Sequence, residues 1–80
     1  MKHPKLIHKK LGKERVWGFY DKAKNTIELD ERLKGKKKLE ILVHEYFHHL
    51  FPFMDEETVT KSAKDLTDFL WKHHLRIVEP

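Results

Sequence analysis

The feature that most constrains this chain is the sequence His-Glu-Tyr-Phe-His at residues 44–48. In a helix, His44 and His48 are four residues apart, so both imidazoles project from one face and can reach a single zinc ion. Glu45 is placed to take a proton from a metal-bound water instead of binding the metal itself. The motif therefore predicts a helix with a zinc site on one of its faces.

Apolar residues around the motif recur with the period of a helix, and Pro52 is expected to end that helix. The predicted buried stripe comprises Leu39, Leu42, Val43, Tyr46, Phe47 and Leu50. The residues beside it, at the margin between core and solvent, are Ile41, His44, Glu45 and His48. His49 is turned about 140° from the first motif histidine, against about 40° for His48, so His48 is the predicted second ligand.

A catalytic zinc site usually has three protein ligands, so a third is expected just downstream. The candidates are Asp55, Glu56 and Glu57. Asp55 suits the N-cap of a second helix, and carboxylates in the first turn of a helix are favoured in any case. Glu56 shares the inward face of that helix and is the preferred ligand, with Glu57 next.

The second helix is predicted to run to about His74. Its stripe comprises Val59, Ala63, Leu66, Leu70 and His73, widened by Phe69. His73 lies seventeen residues after Glu56, about 25 Å along a straight helix, and cannot bind the same ion.

The N-terminal half reads as strands. Residues 6–8 suggest a short strand, and residues 15–20 and 26–30 suggest an antiparallel hairpin around a turn at residues 21–25, with Ile27 and Leu29 facing inward. Residues 31–38, which contain Lys34, Lys36, Lys37 and Lys38, read as a solvated charged connection. The expected fold is α+β: a small antiparallel sheet of two or three strands packed against the motif helix and a second, C-terminal helix.

Length and composition narrow the class of protein further. Eighty residues correspond to one domain, residues 1–80, with a thin core. The chain has no cysteine, which excludes disulfides and leaves His, Asp and Glu as metal ligands. The first residues lack the apolar run of a signal peptide, and no apolar stretch is long enough to span a membrane, so a cytoplasmic protein without a membrane partner is expected.

The order of these elements resembles the minimal zincin metallopeptidases. The residues that carry the resemblance are the aromatic-rich hairpin at 17–21 and 26–29, the motif at 42–48, and Glu56 opening a helix that ends Phe69-Leu70-Trp71. The nearest family is the gluzincin-like group akin to the ImmA/IrrE-type peptidase domain of phages and prokaryotes. The resemblance implies zinc on His44, His48 and Glu56, Glu45 as general base, and a sheet strand along the cleft that can bind substrate backbone.

The leading prediction is therefore a zinc metalloendopeptidase acting on a peptide or protein. The chain lacks the long helix that precedes the sheet in larger zincins, which motivates a second hypothesis, a regulatory or structural zinc domain that binds a partner protein. A net charge of +4 and a pI near 9.4 raise a third, weaker one, a nucleic-acid-binding module that uses the lysines at 34–38 and at the N-terminus. Sequence assigns no oxyanion-stabilising group: Tyr46 points to the core by periodicity, and His49 and Arg76 are only candidates.

Overall fold

Three strands are followed by two helices along the chain. They are β1 (Lys5–Lys9), β2 (Gly18–Asp21), β3 (Thr26–Asp30), α1 (Gly35–Leu50) and α2 (Glu56–Lys72). The computed structural model describes residues 2–12 and 16–77, so Arg15, predicted to open the hairpin, lies outside the described residues. The predicted α+β class is confirmed.

The sheet has the strand order β1-β3-β2, with β3 in the centre. Strands β2 and β3 form the predicted antiparallel hairpin, in which Tyr20 lies opposite Ile27 and Gly18 opposite Leu29. Strand β1 pairs with β3 in parallel, so the sheet is mixed and not purely antiparallel. β2 is left as an edge strand, and α1 lies next to that edge.

The core forms between β3 and α1, as the alternation of β3 predicts. Ile27 and Leu29 are buried, and Leu33 completes their cluster. The predicted stripe residues Leu42 and Tyr46 pack against this cluster. Ile41, which is predicted to lie beside the stripe, is partly buried and packs there as well.

The buried carboxylate of Asp30, at the end of β3, forms hydrogen bonds that connect the loop after β1 to the sheet. Both oxygens of Asp30 accept hydrogen bonds from Arg32, at 2.9 Å each, and Oδ2 also accepts the backbone N–H of Leu11 at 3.2 Å. The Arg32 guanidinium lies 5.2 Å from the centre of the Trp17 ring. The hydrogen bonds from Arg32 hold the pKa of Asp30 well below its usual range.

Helix α1 begins at Gly35, so the prediction that residues 35–38 form a solvated loop is wrong. Lys36 lies 2.8 Å from Asp68 of α2, and Lys38 is buried. Lysines in a first turn oppose the helix dipole, and no side chain caps this helix, so contact with α2 has to stabilise its start. Pro52 follows soon after the last helical residue, Leu50, as predicted.

Helix α2 has Asp55 as its N-cap, as predicted, and the Asp55 carboxylate accepts the backbone N–H of Thr58 at 3.1 Å. Its buried residues are Val59, Ala63 and Thr67. Leu66 and Phe69, which were predicted to be buried, are 36% and 58% exposed because the contact with α1 follows the i, i+4 row of α2. None of the helices in the described ranges is long and apolar enough to cross a membrane.

Candidate metal site

The two motif histidines meet a carboxylate from the second helix. His44 Nε2 lies 2.7 Å from Glu56 Oε1, and His48 Nε2 lies 3.0 Å from Glu56 Oε2. The histidine side chains are 17% and 28% exposed and Glu56 is 67% exposed, so the cluster is anchored on α1 and open to solvent at Glu56. The structure thus brings together the three residues predicted as ligands.

The donor set and its spacing fit a zinc ion. One nitrogen from each histidine and a carboxylate oxygen lie within 4.8 Å of one another. Ligand atoms about 2.0–2.1 Å from a tetrahedral zinc are about 3.3–3.4 Å apart. The N···O distances of 2.7 and 3.0 Å are shorter, as expected where the imidazole N–H groups donate to the carboxylate, so Glu56 and the histidines would have to move apart to admit the ion.

The neighbours of Glu56 have other partners. Asp55 caps α2, and Thr58 donates to it through both its backbone N–H and its hydroxyl. Glu57 forms an exposed ion pair with Lys61 at 3.0 Å. Of the three carboxylates that the sequence left open, the geometry favours Glu56, because it alone reaches the histidines.

Glu45 lies against the edge of the sheet, beside the histidines. Burial raises the pKa of its carboxyl above the ordinary value, whereas the nearby His44 and His48 and a hydrogen bond from the Tyr20 backbone N–H lower that pKa. Glu45 is thus a half-buried carboxylate with a raised pKa beside the cluster of His44, His48 and Glu56, and both its position and its raised pKa suit a general base.

A groove of about 370 Å³ lies beside Glu45 and His48. Its lining residues are Phe19, Tyr20, Lys22, Glu45, His48 and Pro52. They come from β2, the turn after it, α1 and the loop between the helices. Its volume falls within the range of small-ligand sites.

Two features of the site were not predicted. A Cβ atom on Gly18 would lie 2.6 Å from Ile41 Cγ2 and 3.1 Å from Glu45 Cγ, so this glycine lets α1 approach β2 where Glu45 is held. A glycine inside a strand pattern often marks such a close approach, and that signal was available in the sequence. The second feature is a contact between the Tyr20 hydroxyl and His49 Nδ1 at 3.0 Å, which nothing in the sequence pattern indicates.

The other residues considered from sequence have different surroundings. Tyr46 packs on the core, as periodicity predicts, and His49 packs against the rings of Tyr20 and Tyr46. Arg76 donates to the Trp71 carbonyl and lies over its indole ring. His73 caps the far end of α2.

Comparison of the chain with protein-family models, with curated proteins and with solved structures finds no match. The resemblance to zincins therefore stays a prediction.

Proposed function

We propose that this protein is a zinc-dependent peptidase, with His44, His48 and Glu56 as the metal ligands and Glu45 as the general base. The observation that carries the proposal is the convergence of the three ligand atoms within 4.8 Å of one another, with one of them, His48, lining the same groove as Glu45. Three protein ligands leave a position open on a four-coordinate zinc, as catalytic sites require.

The ion, when bound, would supply Lewis-acid chemistry that polarises a carbonyl and lowers the pKa of water towards about 7. Glu45 takes the proton of the attacking water and returns it to the amine that leaves as the peptide bond breaks. Tyr20 holds the Glu45 carboxylate through its backbone N–H, which keeps the base in the groove lining. His44 and His48 are fixed by α1, and Glu56 by the first turn of α2.

The test of this mechanism is the variant Glu45→Gln, which keeps the size of the side chain and removes its basicity. Loss of a general base is expected to lower kcat by about 10²–10⁴-fold, while zinc content stays at the wild-type level. Zinc is measured by elemental analysis, and cleavage by mass spectrometry of a peptide mixture. Equal activity of the variant and the wild type at equal zinc loading would remove Glu45 from the mechanism.

A second candidate function is a zinc domain without turnover, in which the metal stabilises a surface for a partner protein. The observation that favours it is the origin of the ligands: the two histidines belong to α1 and Glu56 to α2, so zinc would bind the two helices to each other. This alternative predicts strong stabilisation by zinc and no cleavage of any peptide at full zinc loading.

A further inference from the structure

The groove beside the candidate site has apolar walls and a cation at its rim. Phe19 is 50% exposed, and with Pro52 it gives the groove an apolar surface that solvent alone covers. The charged lining residues are Glu45 and Lys22. Apolar surface beside a few charged groups is typical of a site that selects its ligand by charge at a fixed position.

Lys22 is positioned by the hairpin, and within the described ranges 2–12 and 16–77 its charge has no partner. It is the first residue of the turn at residues 22–25, which is fixed by the Asp21 carboxylate accepting the Lys24 N–H at 3.1 Å and by the left-handed backbone of Asn25. Among the residues that the structure describes, no carboxylate pairs with Lys22. Its ammonium group is therefore available to an anion in the groove.

We infer that Lys22 is a specificity-determining residue that selects peptides carrying a carboxylate in this groove, an inference that rests on the proposed peptidase function. The carboxylate has two sources, an acidic side chain close to the scissile bond or the free C-terminus of the peptide. Both present the same chemistry to the ammonium group. A basic side chain at the same place is repelled by Lys22, so the site discriminates in both directions.

The experiment measures binding without turnover. The protein is the full chain as Glu45→Gln, loaded with zinc, and the probes are eight-residue peptides of alanine and serine with blocked ends. A single Asp, Asn or Lys is moved through every position, and one further peptide has a free C-terminal carboxylate. Dissociation constants are measured by NMR titration of the labelled protein, which also shows whether the residues around Lys22 respond.

One placement of Asp, or the free C-terminus, is expected to bind more tightly than its neutral counterpart by up to about fivefold, the upper end of the range for an exposed ion pair. The preference shrinks with added salt, because the ammonium group is exposed. Adding Lys22→Glu abolishes or reverses the preference. Lys24→Glu makes the same change of charge two residues further along the turn, outside the groove lining. This control variant is expected to keep the carboxylate preference.

Equal binding of Asp and Asn peptides at every position, together with equal binding of the free and the blocked C-terminus, would overturn the inference. So would a preference that survives Lys22→Glu, or no binding of any peptide up to the solubility limit. A carboxylate preference that depends on Lys22, found together with a zinc-loaded wild type that cleaves none of the peptides, would support the role of Lys22 and refute the peptidase. Cleavage without any charge preference would support the peptidase and refute the role of Lys22.

Discussion

Glu56 reaches the two motif histidines from a different helix, so a variant that lacks its charge tests whether Glu56 is the third metal ligand. We expect Glu56→Gln to weaken zinc binding by at least about tenfold, since even residues that only support a ligand change metal affinity by that much. The measurement is a competition titration against a chromophoric chelator.

Glu57→Gln is the matched control, because it removes the same charge from the next residue, where the carboxylate contacts Lys61. Its zinc affinity should stay within about twofold of the wild type, the scale of a surface ion pair. Equal losses in the two variants would contradict Glu56 as the third ligand.

Thr67 is fully buried in α2, and its hydroxyl oxygen has no hydrogen-bond partner among the residues that the structure describes. Thr67→Val keeps the branched shape and removes the unsatisfied polar atom, so the variant should be more stable by about 1 kcal/mol. Thermal unfolding is the measurement, and an increase in Tm of about 4–8 °C is expected for a domain of this size. Thr67→Ala removes the methyl group as well and should lower Tm, so the two variants distinguish the effect of the hydroxyl group from that of side-chain packing. A lower Tm for Thr67→Val than for the wild type would show that the hydroxyl group does not destabilise the fold.

For single residues, the sequence predicts side-chain positions that follow from helical spacing. It does not predict burial that depends on a partner distant in the chain. The positions of His44 and His48 follow from helical periodicity alone, and that of Glu56 from the face of α2. Burial of Asp30 could not be predicted, because it is stabilised by Arg32 and by the Leu11 N–H of a distant loop. Charged residues are buried only when such partners exist, and no local pattern shows them.

Helix α1 approaches β2 closely at Gly18. Gly18→Ala places a methyl group against Ile41 Cγ2 and Glu45 Cγ, and overpacking of this kind costs about 1–3 kcal/mol. We therefore expect a lower free energy of unfolding in urea and, because α1 has to move away from Tyr20, slower peptide hydrolysis at full zinc loading.

The double variant Gly18→Ala/Ile41→Leu should recover part of the stability, because leucine has no Cγ2 methyl group. Wild-type stability of the single Gly18→Ala variant would show that α1 and β2 are not in close contact at this point. A double variant less stable than both single variants would place the clash elsewhere.

For the elements, sequence predicts the hairpin and the α2 cap but not the partner of β1 or the start of α1. Alternation in a strand determines which side chains share a face and carries no information on which neighbour it pairs with, so the parallel pairing of β1 with β3 was missed. The start of α1 was missed because Lys36 to Lys38 oppose the helix dipole, and the contact of Lys36 with Asp68 is made to another helix.

For the whole molecule, the charged groups predict how stability depends on pH. Hydrogen bonds lower the pKa of Asp30, Asp55 and Asp68 below the ordinary value, chiefly from Arg32, Thr58 and Lys36 respectively. A carboxylate with a lowered pKa in the folded state stabilises the fold above about pH 4, its ordinary value, and loses that contribution as pH falls through the folded value. Tm should therefore decrease below about pH 4, and the decrease should be less steep in Asp30→Asn. An equally steep decrease in that variant would exclude Asp30 as a main source of the pH dependence of stability.

Zinc should stabilise the whole molecule because its ligands come from both helices of a domain with a thin core. An ion present at a hundred times its dissociation constant, and binding only the folded state, adds about 2.7 kcal/mol to the free energy of unfolding. At about 4–8 °C per kcal/mol, Tm should rise by about 10–20 °C on loading and fall back with a chelator. The variant His44→Gln/His48→Gln should show the same Tm with zinc and with chelator, whereas His73→Gln, at the far end of α2, should respond like the wild type. A zinc-dependent Tm in the double variant would locate the ion outside the cluster of His44, His48 and Glu56.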